Sequence, residues 1–334
     1  MRAAQLVEIP STELRLADVP VPELQPLSVI ISVEACGICG TDLHIMEGSG
    51  YRPEVPFTLG HEPVGTVSAV GADVDEAVLG SRVVPTIFVG CGHCPACRSG
   101  DERLCVNGPY VTGVFVQPGG FAQRMALMAT QLVTVPAHLP VEVAATLVDA
   151  GATAHNAVRT ALDEHRAAAA GEHLVVGAGP VGFLVAELLR HRGAHPVVLE
   201  SNEQRRRAAQ KCGYQVEHDL SEIDGPFSSV IDCAAAASLV DPLLALLNPH
   251  GVYVSVGYAK LDHFDMPLVS HRELVVRGVR SGRRSDLEQV LDLVASGAIS
   301  PPAWDSWPLE DINTALASLR SGLVGGKAVI VMEP

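Results

Sequence analysis

The stretch HLVVGAGPVG, residues 173–182, joins a short apolar run to an amphipathic segment through a GxGxxG motif. In a strand–turn–helix of this kind, Gly177 permits a tight turn and Gly179 lets the backbone approach a pyrophosphate. Gly182 lets the helix and the strand pack closely. The N-terminus of the helix then offers free N–H groups and a partial positive charge to phosphates. The predicted dinucleotide-binding residues of this turn are Gly177, Gly179, Pro180, Val181 and Gly182.

Glu200 ends the next predicted strand, HPVVLE, 23 residues after Gly177. A carboxylate at this position can accept hydrogen bonds from both ribose hydroxyls of an adenosine. It would also repel a 2′-phosphate, so the sequence predicts NAD rather than NADP. Arg205 and Arg206 follow five and six residues later. Either an arginine here, with Arg205 as the candidate, contacts a phosphate of the cofactor, or both lie on an exposed helix face beside the adenine.

The character of the chain changes near residue 150. At 334 residues it is too long for one compact core, and about two domains are expected. Short apolar runs separated by Gly, Pro or Asp predict an irregular, mainly β domain up to about residue 145. From about residue 170, continuous apolar runs alternate with amphipathic segments, which predicts a parallel sheet with helices on both faces.

The predicted fold class is therefore α/β, a doubly wound parallel sheet domain together with a mainly β domain. The alanine-rich stretch HRAAAAGEH, residues 165–173, is predicted to be a helix end or a linker. The predicted helices include PVGFLVAELLRHRG, SNEQRRRAAQKCG, SLVDPLLALLN and RRSDLEQVLDLVASG, and the last predicted strand is KAVIVM.

The composition argues against several classes of partner. The net charge of −15 repels nucleic acid and anionic membranes. No apolar run reaches the roughly 18 residues that span a bilayer. The N-terminal MRAAQLVEIPSTELRL lacks the continuous apolar core of a signal peptide. We therefore expect a cytoplasmic protein with neither a nucleic acid nor a membrane as partner.

The stretch CGHCPACRSGDERLC, residues 91–105, holds four of the eight cysteines. In a reducing cytoplasm, clustered cysteines are more often metal ligands than disulfides. A bacterial ferredoxin site places its fourth cysteine at a closer spacing than the seven residues between Cys97 and Cys105. Four thiolates complete a tetrahedral zinc and leave no open position, so the stretch predicts a structural zinc lobe. The predicted ligands are Cys91, Cys94, Cys97 and Cys105.

Two turn-rich stretches, EACGICGTDLHIMEG and TLGHEPVG, hold a second set of possible metal ligands. A lone cysteine and a lone histidine usually belong to a packed core, but glycines around both residues indicate turns here. A catalytic zinc typically takes three protein ligands and leaves one position open. Cys39 and His61 supply two, and Asp149 in LVDAGATAHNAV is a candidate for the third. The alternative for Asp149 is a helix N-cap.

Six motifs follow one another along essentially the whole chain: GICGTDLH, GHEPVG, CGHCPACRSGDERLC, GGFAQ, DAGATAHNA and VVGAGPVG. The ordered set resembles the zinc-dependent medium-chain alcohol dehydrogenases, of the polyol and threonine dehydrogenase kind. The resemblance implies a GroES-like catalytic domain and a Rossmann domain. The implied boundaries are residues 1–146 and 285–334 for the catalytic domain, with its zinc lobe at 91–105, and 147–284 for the dinucleotide-binding domain.

Carried over to this sequence, the resemblance implies that Cys39 and His61 are ligands of a catalytic zinc. Asp149 occupies a position that is cysteine in many members of the family and acidic in others. Glu62 matches a glutamate that coordinates zinc directly or lies just behind it, so which carboxylate binds at rest is left open. Asp42 would orient His61 through its second ring nitrogen.

The resemblance also implies the reaction. A small-molecule alcohol, of secondary or polyol type, is oxidised to a ketone by reversible hydride transfer to NAD, with two zinc ions per chain. Thr41 and His44 match the proton relay of the family, in which Thr41 accepts the hydroxyl proton and His44 passes it to solvent. Relatives of this kind are dimers or tetramers. HRELVVRGVR is the candidate edge strand for a homodimer or homotetramer.

Two alternative functions fit part of the pattern. A zinc-free reductase of activated alkenes has no need of the Cys39–His61 pair. A dinucleotide-binding regulatory or structural protein with a structural zinc has no need of Thr41, His44, His61 and Glu62 together. Small secondary alcohols, polyols, amino-alcohols and sugar-derived hydroxyls all fit as substrates. Residues that could line the substrate pocket, or belong to the core, are Met46, Tyr51, Phe57, Phe88, Tyr110 and Phe115.

Overall fold

The structure is a computed structural model that describes residues 1–108, 110–163, 171–257, 260–261 and 263–333. The chain divides into two compact units. The first comprises Met1–Asp149, Arg283–Ala295 and Pro301–Pro334, and the second comprises Ala150–Gly282 and Ser296–Ser300. Residues 165–170 of the predicted linker lie outside the described residues. None of the helices in the described ranges is long and apolar enough to cross a membrane.

The first unit is mainly β, as its short apolar runs predict. Its strands up to residue 149 are β1 (Arg2–Leu6), β2 (Arg15–Asp18), β3 (Ser28–Ile38), β4 (Phe57–Thr58), β5 (Glu62–Val70), β6 (Arg82–Pro85), β7 (Phe88–Val89), β8 (Tyr110–Val111), β9 (Arg124–Met128) and β10 (Leu132–Thr134). The helices of this part are α1 (Gly40–Met46), α2 (Pro95–Arg98) and α3 (Val141–Ala145).

The second unit alternates helices and strands. Its elements are α4 (Ala150–Asp163), β11 (His173–Val176), α5 (Pro180–His191), β12 (Pro196–Leu199), α6 (Glu203–Lys211), β13 (Gln215–Glu217), β14 (Phe227–Asp232), α7 (Val240–Ala245), β15 (Leu247–Ser255), α8 (Met266–Arg272) and β16 (Val275–Gly278). The chain then returns to the first unit with α9 (Arg284–Ala295), β17 (Trp304–Pro308), α10 (Ile312–Arg320) and β18 (Lys327–Val331).

A mixed seven-stranded sheet organises the first unit, and β3 is its most extensively paired strand. β3 pairs with β5, β9 and β18. Because β3 is buried along nearly its whole length, its sequence is apolar at most positions rather than at alternate ones. Near its end, Gly37 lies opposite Glu62 of β5 and opposite Val329 of β18. The ends of these three strands therefore meet where the chain passes from β3 into α1.

A six-stranded sheet in the order β13-β12-β11-β14-β15-β16 organises the second unit, and all of its pairings are parallel. Short buried strands alternating with helices confirm the predicted doubly wound α/β domain. Leu174, Val176, Phe227 and Leu243 belong to one core cluster of this unit, which explains the continuous apolar runs in its strands. The order of connection reverses at β11, so the carboxyl ends of β11 and β14 flank a crevice.

The structure departs from the sequence pattern in several elements. The helices α8 and α10 are not among the predicted ones, and the first two residues of the predicted edge stretch HRELVVRGVR belong to α8. The strands β13 and β17 are not predicted, because β13 has three residues and β17 is exposed over most of its length. The predicted helix SLVDPLLALLN is shorter than expected. A 3₁₀ turn over Ala237–Leu239 precedes α7, and β15 already begins at Leu247. Pro242 stands in the first turn of α7, where its missing N–H breaks no helical hydrogen bond.

Candidate zinc and dinucleotide sites

Four predicted ligands come together in the first unit. One ligand atom each from Cys39, His61, Glu62 and Asp149 lies within 4.8 Å of the other three. Cys39 is the N-cap of α1, and His61 and Glu62 stand where β5 begins. Asp149 directly precedes α4, which is also the position of an N-cap, and its Oδ2 lies 3.8 Å from His61 Nε2. The fold thus joins side chains from positions 39 to 149 in one cluster.

Asp42 holds two of these ligands in place. It is fully buried in the first turn of α1. Its Oδ2 accepts a 2.8 Å hydrogen bond from the backbone N–H of Cys39, and its Oδ1 lies 3.5 Å from His61 Nδ1. A carboxylate behind a ring nitrogen orients an imidazole and strengthens it as a ligand. This geometry fits the role that the resemblance implies for Asp42.

The groups around His61 favour a positive charge at this place, either on the imidazole itself or on a bound metal ion. Burial by itself lowers the pKa of His61, but Asp42, Asp149 and Cys39 outweigh it and raise the pKa well above its usual value. Neither ring nitrogen has a hydrogen-bond partner among the described residues. A dication bound here would be a partner for His61 Nε2 and would compensate the negative charges. The donor set of thiolate, imidazole and carboxylate therefore fits zinc.

Lys327, the first residue of β18, lies beside the ligand cluster through its contact with Glu62. The sequence pattern does not single out this lysine. Lys327 is 3% exposed, and its Nζ lies 2.7 Å from Oε1 and 2.5 Å from Oε2 of the fully buried Glu62. Gly37 makes room for the pair, since a Cβ there would lie 2.4 Å from Glu62 Oε2. Burial by itself lowers the pKa of Lys327, but Glu62 outweighs it and raises the pKa, so the lysine stays charged. Glu62 is thus held by a cation of the protein itself.

Thr41 and His44 lie one turn apart on the same face of α1. Thr41 Oγ1 is 3.8 Å from Cys39 Sγ. The His44 side chain is 65% exposed, with its Nδ1 3.9 Å from Glu47 Oε2. One member of the pair therefore lies at the ligand cluster and the other at the solvent, as a proton relay requires.

The four cysteines of the lobe form a second ligand set, with their sulfurs within 4.8 Å of one another. Cys91 Sγ lies 4.0 Å from Cys97 Sγ, and Cys94 Sγ lies 4.0 Å from Cys105 Sγ. Gly90, just before the lobe, lets the backbone pass close to Cys97, because a Cβ there would lie 2.4 Å from Cys97 Sγ.

The thiols of this lobe differ in how readily they ionise. A backbone hydrogen bond from His93 lowers the pKa of Cys91 to about 5, whereas burial raises the pKa of Cys97 to about 12. Four sulfurs this close can all be thiolates only when a cation lies among them. The set therefore fits a closed, structural zinc.

The glycine turn lies at the carboxyl end of β11. Gly177 has φ +91°, in the left-handed region that favours glycine. A Cβ on Gly182 would lie 1.8 Å from the Gly177 carbonyl oxygen, so only glycine fits there. Gly179 is the N-cap of α5, and Pro180 and Val181 begin the helix with partly exposed side chains. The turn thus presents a helix N-terminus suited to a phosphate.

Glu200 follows β12 and is buried beside the glycine turn. Its Oε2 accepts the N–H of Ala178 and its Oε1 accepts the N–H of Asn202, both at 2.7 Å. The carboxylate therefore braces the turn. Because each carboxylate oxygen can accept more than one hydrogen bond, Glu200 can still accept those of ribose hydroxyls.

Arg205 and Arg206 are placed differently. Nη1 of Arg205 is the nearest atom, at 3.8 Å, to a Cβ built on Gly179. The buried Nε of Arg205 has no hydrogen-bond partner in the described part of the chain. Arg206 instead donates to the carbonyl oxygens of Glu200 and Ser201. Of the two arginines, Arg205 is the one that lies beside the turn.

The six residues considered for a substrate pocket differ in exposure. Tyr51 and Phe115 are neighbours, with ring centroids 6.2 Å apart. Met46, Phe57 and Phe88 are buried, Tyr51 is partly exposed, and Tyr110 and Phe115 are exposed.

Comparison with known proteins places this geometry in a family. The family model for the alcohol dehydrogenase GroES-like domain matches residues 25–137, and that for zinc-binding dehydrogenase matches residues 180–296. An L-threonine 3-dehydrogenase of Legionella pneumophila is 31% identical over 331 residues, covering 93% of this chain and 94% of the relative.

Solved structures agree with these matches. Acetophenone reductase from Geotrichum candidum in complex with NAD is 29% identical with a TM-score of 0.90, covering 99% of this chain and 97% of that one. The alcohol dehydrogenase of the archaeon Aeropyrum pernix is 29% identical with a TM-score of 0.90, covering 99% and 100%.

The chain belongs to the zinc-dependent medium-chain alcohol dehydrogenase family. It is an oxidoreductase that uses zinc and NAD to oxidise a small-molecule alcohol to a ketone by hydride transfer. The predicted family, fold class, reaction type and cofactors are thereby confirmed.

Proposed function

We propose that this enzyme oxidises a secondary alcohol or polyol-type hydroxyl at a zinc held by Cys39, His61 and Asp149. The convergence of their ligand atoms within 4.8 Å, beside the hydroxyl of Thr41, carries the proposal. Bound in this way, zinc supplies Lewis-acid polarisation of the hydroxyl while NAD accepts the hydride. The names of two relatives support this substrate class. One is an L-threonine 3-dehydrogenase, and threonine carries its hydroxyl at a secondary carbon; the other is an acetophenone reductase, and acetophenone is a ketone.

Asp149 is the third ligand at rest, and Glu62 stands behind the site. Both carboxylates lie in the ligand cluster, but both oxygens of Glu62 lie within 2.7 Å of Lys327 Nζ. An ion pair that is buried on both sides is costly to separate. Asp149 Oδ2, in contrast, faces His61 Nε2. Three protein ligands leave one position for the substrate, whereas four would close the site.

The cofactor binds at the glycine turn of the second unit. Gly177, Gly179 and Gly182 give the backbone approach, and the first turn of α5, with Pro180 and Val181, receives the pyrophosphate. Glu200 accepts the ribose hydroxyls, and Arg205 supplies a positive charge beside the turn. The first unit then serves as the catalytic domain with its structural zinc at Cys91, Cys94, Cys97 and Cys105, and the second as the dinucleotide-binding domain.

His44→Ala is expected to lower kcat about tenfold, with the largest loss at low pH, where other proton acceptors are scarce. An amine buffer should restore part of the rate, because a small base can reach the place of the exposed imidazole. His218→Ala is the matched control, since His218 is also exposed and paired with a glutamate, Glu222, four residues later. Steady-state rates against pH measure the effect, and a loss that amine leaves unchanged would remove His44 from the relay.

A panel of secondary alcohols, polyols and amino-alcohols, offered with NAD and with NADP, tests the function as a whole. Reduced nicotinamide should appear with NAD, and the protein should hold about two zinc ions per chain. Cys39→Ala should hold about one and be inactive. If this variant keeps near-normal rates with any substrate of the wild type, the zinc mechanism is wrong.

We also propose that the enzyme is a cytoplasmic homodimer or homotetramer. Grouping of cysteines as ligand sets suits a reducing compartment. β16 is the last strand of the six-stranded sheet, with Val276 41% exposed, which suits pairing across a two-fold axis. Light scattering of the purified enzyme should give the mass of two or four chains, and the mass of one chain would contradict the oligomer.

A further inference from the structure

Asp232 is the last residue of β14, at the point where the order of the parallel sheet reverses. β14 is the direct neighbour of β11, which ends in the glycine turn. Ligands of such sheets bind in the crevice outside the carboxyl ends of the two strands that flank this point. Asp232 therefore stands on the side of the crevice that faces the glycine turn, and the family motifs described above do not include it.

The Asp232 carboxylate is 2% exposed and has three donors around it. Its Oδ1 accepts the backbone N–H groups of Ala234, at 2.9 Å, and of Ala235, at 3.0 Å. Its Oδ2 accepts the hydroxyl of Tyr253, on β15, at 2.7 Å. Burial and the carboxylate raise the pKa of Tyr253, so its hydroxyl remains a donor. A buried charge with this many donors fixes the backbone around it.

The backbone fixed in this way forms a wall of the crevice. A Cβ built on Gly177 would lie 3.3 Å from Ala234 Cβ, so Ala234 borders the glycine turn. Ala235 has φ +55°, a conformation that a non-glycine residue adopts only when its surroundings hold it there. On its other side, a Cβ on Gly257 would lie 2.3 Å from Ala235 Cβ. The segment therefore has little room to shift, because it lies between Gly177 of the turn on one side and Gly257, just after β15, on the other.

We propose that Asp232 is a positioning residue for the dinucleotide. It holds the Ala234–Ala235 wall against the glycine turn and so sets the affinity for NAD and NADH, without contact with the reacting atoms. This inference rests on the proposed binding of the cofactor at the glycine turn.

The test compares two tyrosine variants with an aspartate variant, using titration of NADH fluorescence and steady-state kinetics. Asp232→Ala should weaken NADH binding and raise the KM for NAD about tenfold. Its kcat at saturating NAD and its KM for alcohol should stay within about twofold of wild type. Tyr253→Phe should weaken NADH binding about threefold, because the carboxylate keeps its two amide donors.

Tyr214→Phe is the matched control in the same unit. Tyr214 is also a buried tyrosine whose hydroxyl donates to a buried carboxylate, that of Glu187, which stands in the last part of α5 rather than at the crevice. The two tyrosine variants should lower the Tm alike, but only Tyr253→Phe should change the affinity for NADH.

Two further results separate failure of this inference from failure of the cofactor site. If Asp232→Ala and Tyr253→Phe bind NADH like wild type while Gly179→Asp does not, Asp232 is structural only and the inference is overturned. If Gly179→Asp also binds NADH normally, the proposed cofactor site itself is wrong. Should Asp232→Ala fail to fold, the comparison of Tyr253→Phe with Tyr214→Phe still decides.

Discussion

Asp149→Ala is expected to hold about one zinc per chain instead of about two and to lose activity by about a thousandfold or more. The loss follows from the donor set, because Cys39 and His61 alone give two ligands, and Glu62 is paired with Lys327. The remaining zinc should be that of the four-cysteine lobe. Metal analysis after dialysis measures the first effect, and turnover measures the second.

Lys327→Met gives the complementary result. Without its partner, the buried Glu62 carboxylate has the metal as its nearest cation, so the variant should keep both zinc ions yet turn over about a hundredfold more slowly. Its cobalt-substituted form should have an altered absorption spectrum, because the number and type of ligands have changed. Without metal, the variant should be destabilised by about 3–5 kcal/mol, the cost of an uncompensated buried charge.

The double variant Lys327→Met/Glu62→Gln is the control for these effects. It removes both charges of the buried pair, so the cobalt spectrum should return toward that of wild type and part of the activity should recover. A zinc content of about two in Asp149→Ala, together with loss of one zinc in Glu62→Gln, would reverse the assignment and make Glu62 the resting ligand.

The sequence predicts the metal ligands that stand in short local motifs. It does not predict the residues around the site whose position depends on strand pairing. Cys39, His61 and the four lobe cysteines stand among glycines in short recognisable stretches. Lys327 gives one weak signal, a charge at the head of the apolar run KAVIVM, since a buried charge needs a partner. That the partner is Glu62 depends on β3 lying between β5 and β18, with Gly37 leaving the gap.

The role of Asp232 could not be predicted from the sequence for a similar reason. In the sequence it is an acidic residue at the end of an apolar run, like many strand ends. Its role depends on Tyr253, 21 residues later, and on the position of β14 beside β11. The alternation of strands and helices predicts the parallel sheet, but the order of its strands comes only from the structure. Short or exposed edge strands such as β13 and β17 bury too little to leave an apolar pattern.

Gly179→Asp is expected to weaken the binding of NAD and NADH about a hundredfold or more while the fold is retained. The site has room for the side chain, because the nearest atom to a Cβ on Gly179 is Arg205 Nη1 at 3.8 Å, and φ is −66°. Aspartate is a favoured N-cap, since its carboxylate accepts orphan N–H groups of the first turn. The Tm should therefore stay level or rise.

The same carboxylate occupies the place of the pyrophosphate and repels it, so the variant separates folding from cofactor binding. Gly179→Ala isolates the added volume from the charge. Its Cβ would stand 3.8 Å from Arg205 Nη1, an ordinary contact, but it would crowd the approach of the backbone to the pyrophosphate, so this variant should bind NADH about tenfold more weakly than wild type and well above Gly179→Asp in affinity. Calorimetric titration with NADH and thermal unfolding of all three proteins give the comparison. Equal loss of affinity in both variants would mean that volume rather than charge decides, and unchanged affinity in Gly179→Asp would place the cofactor elsewhere.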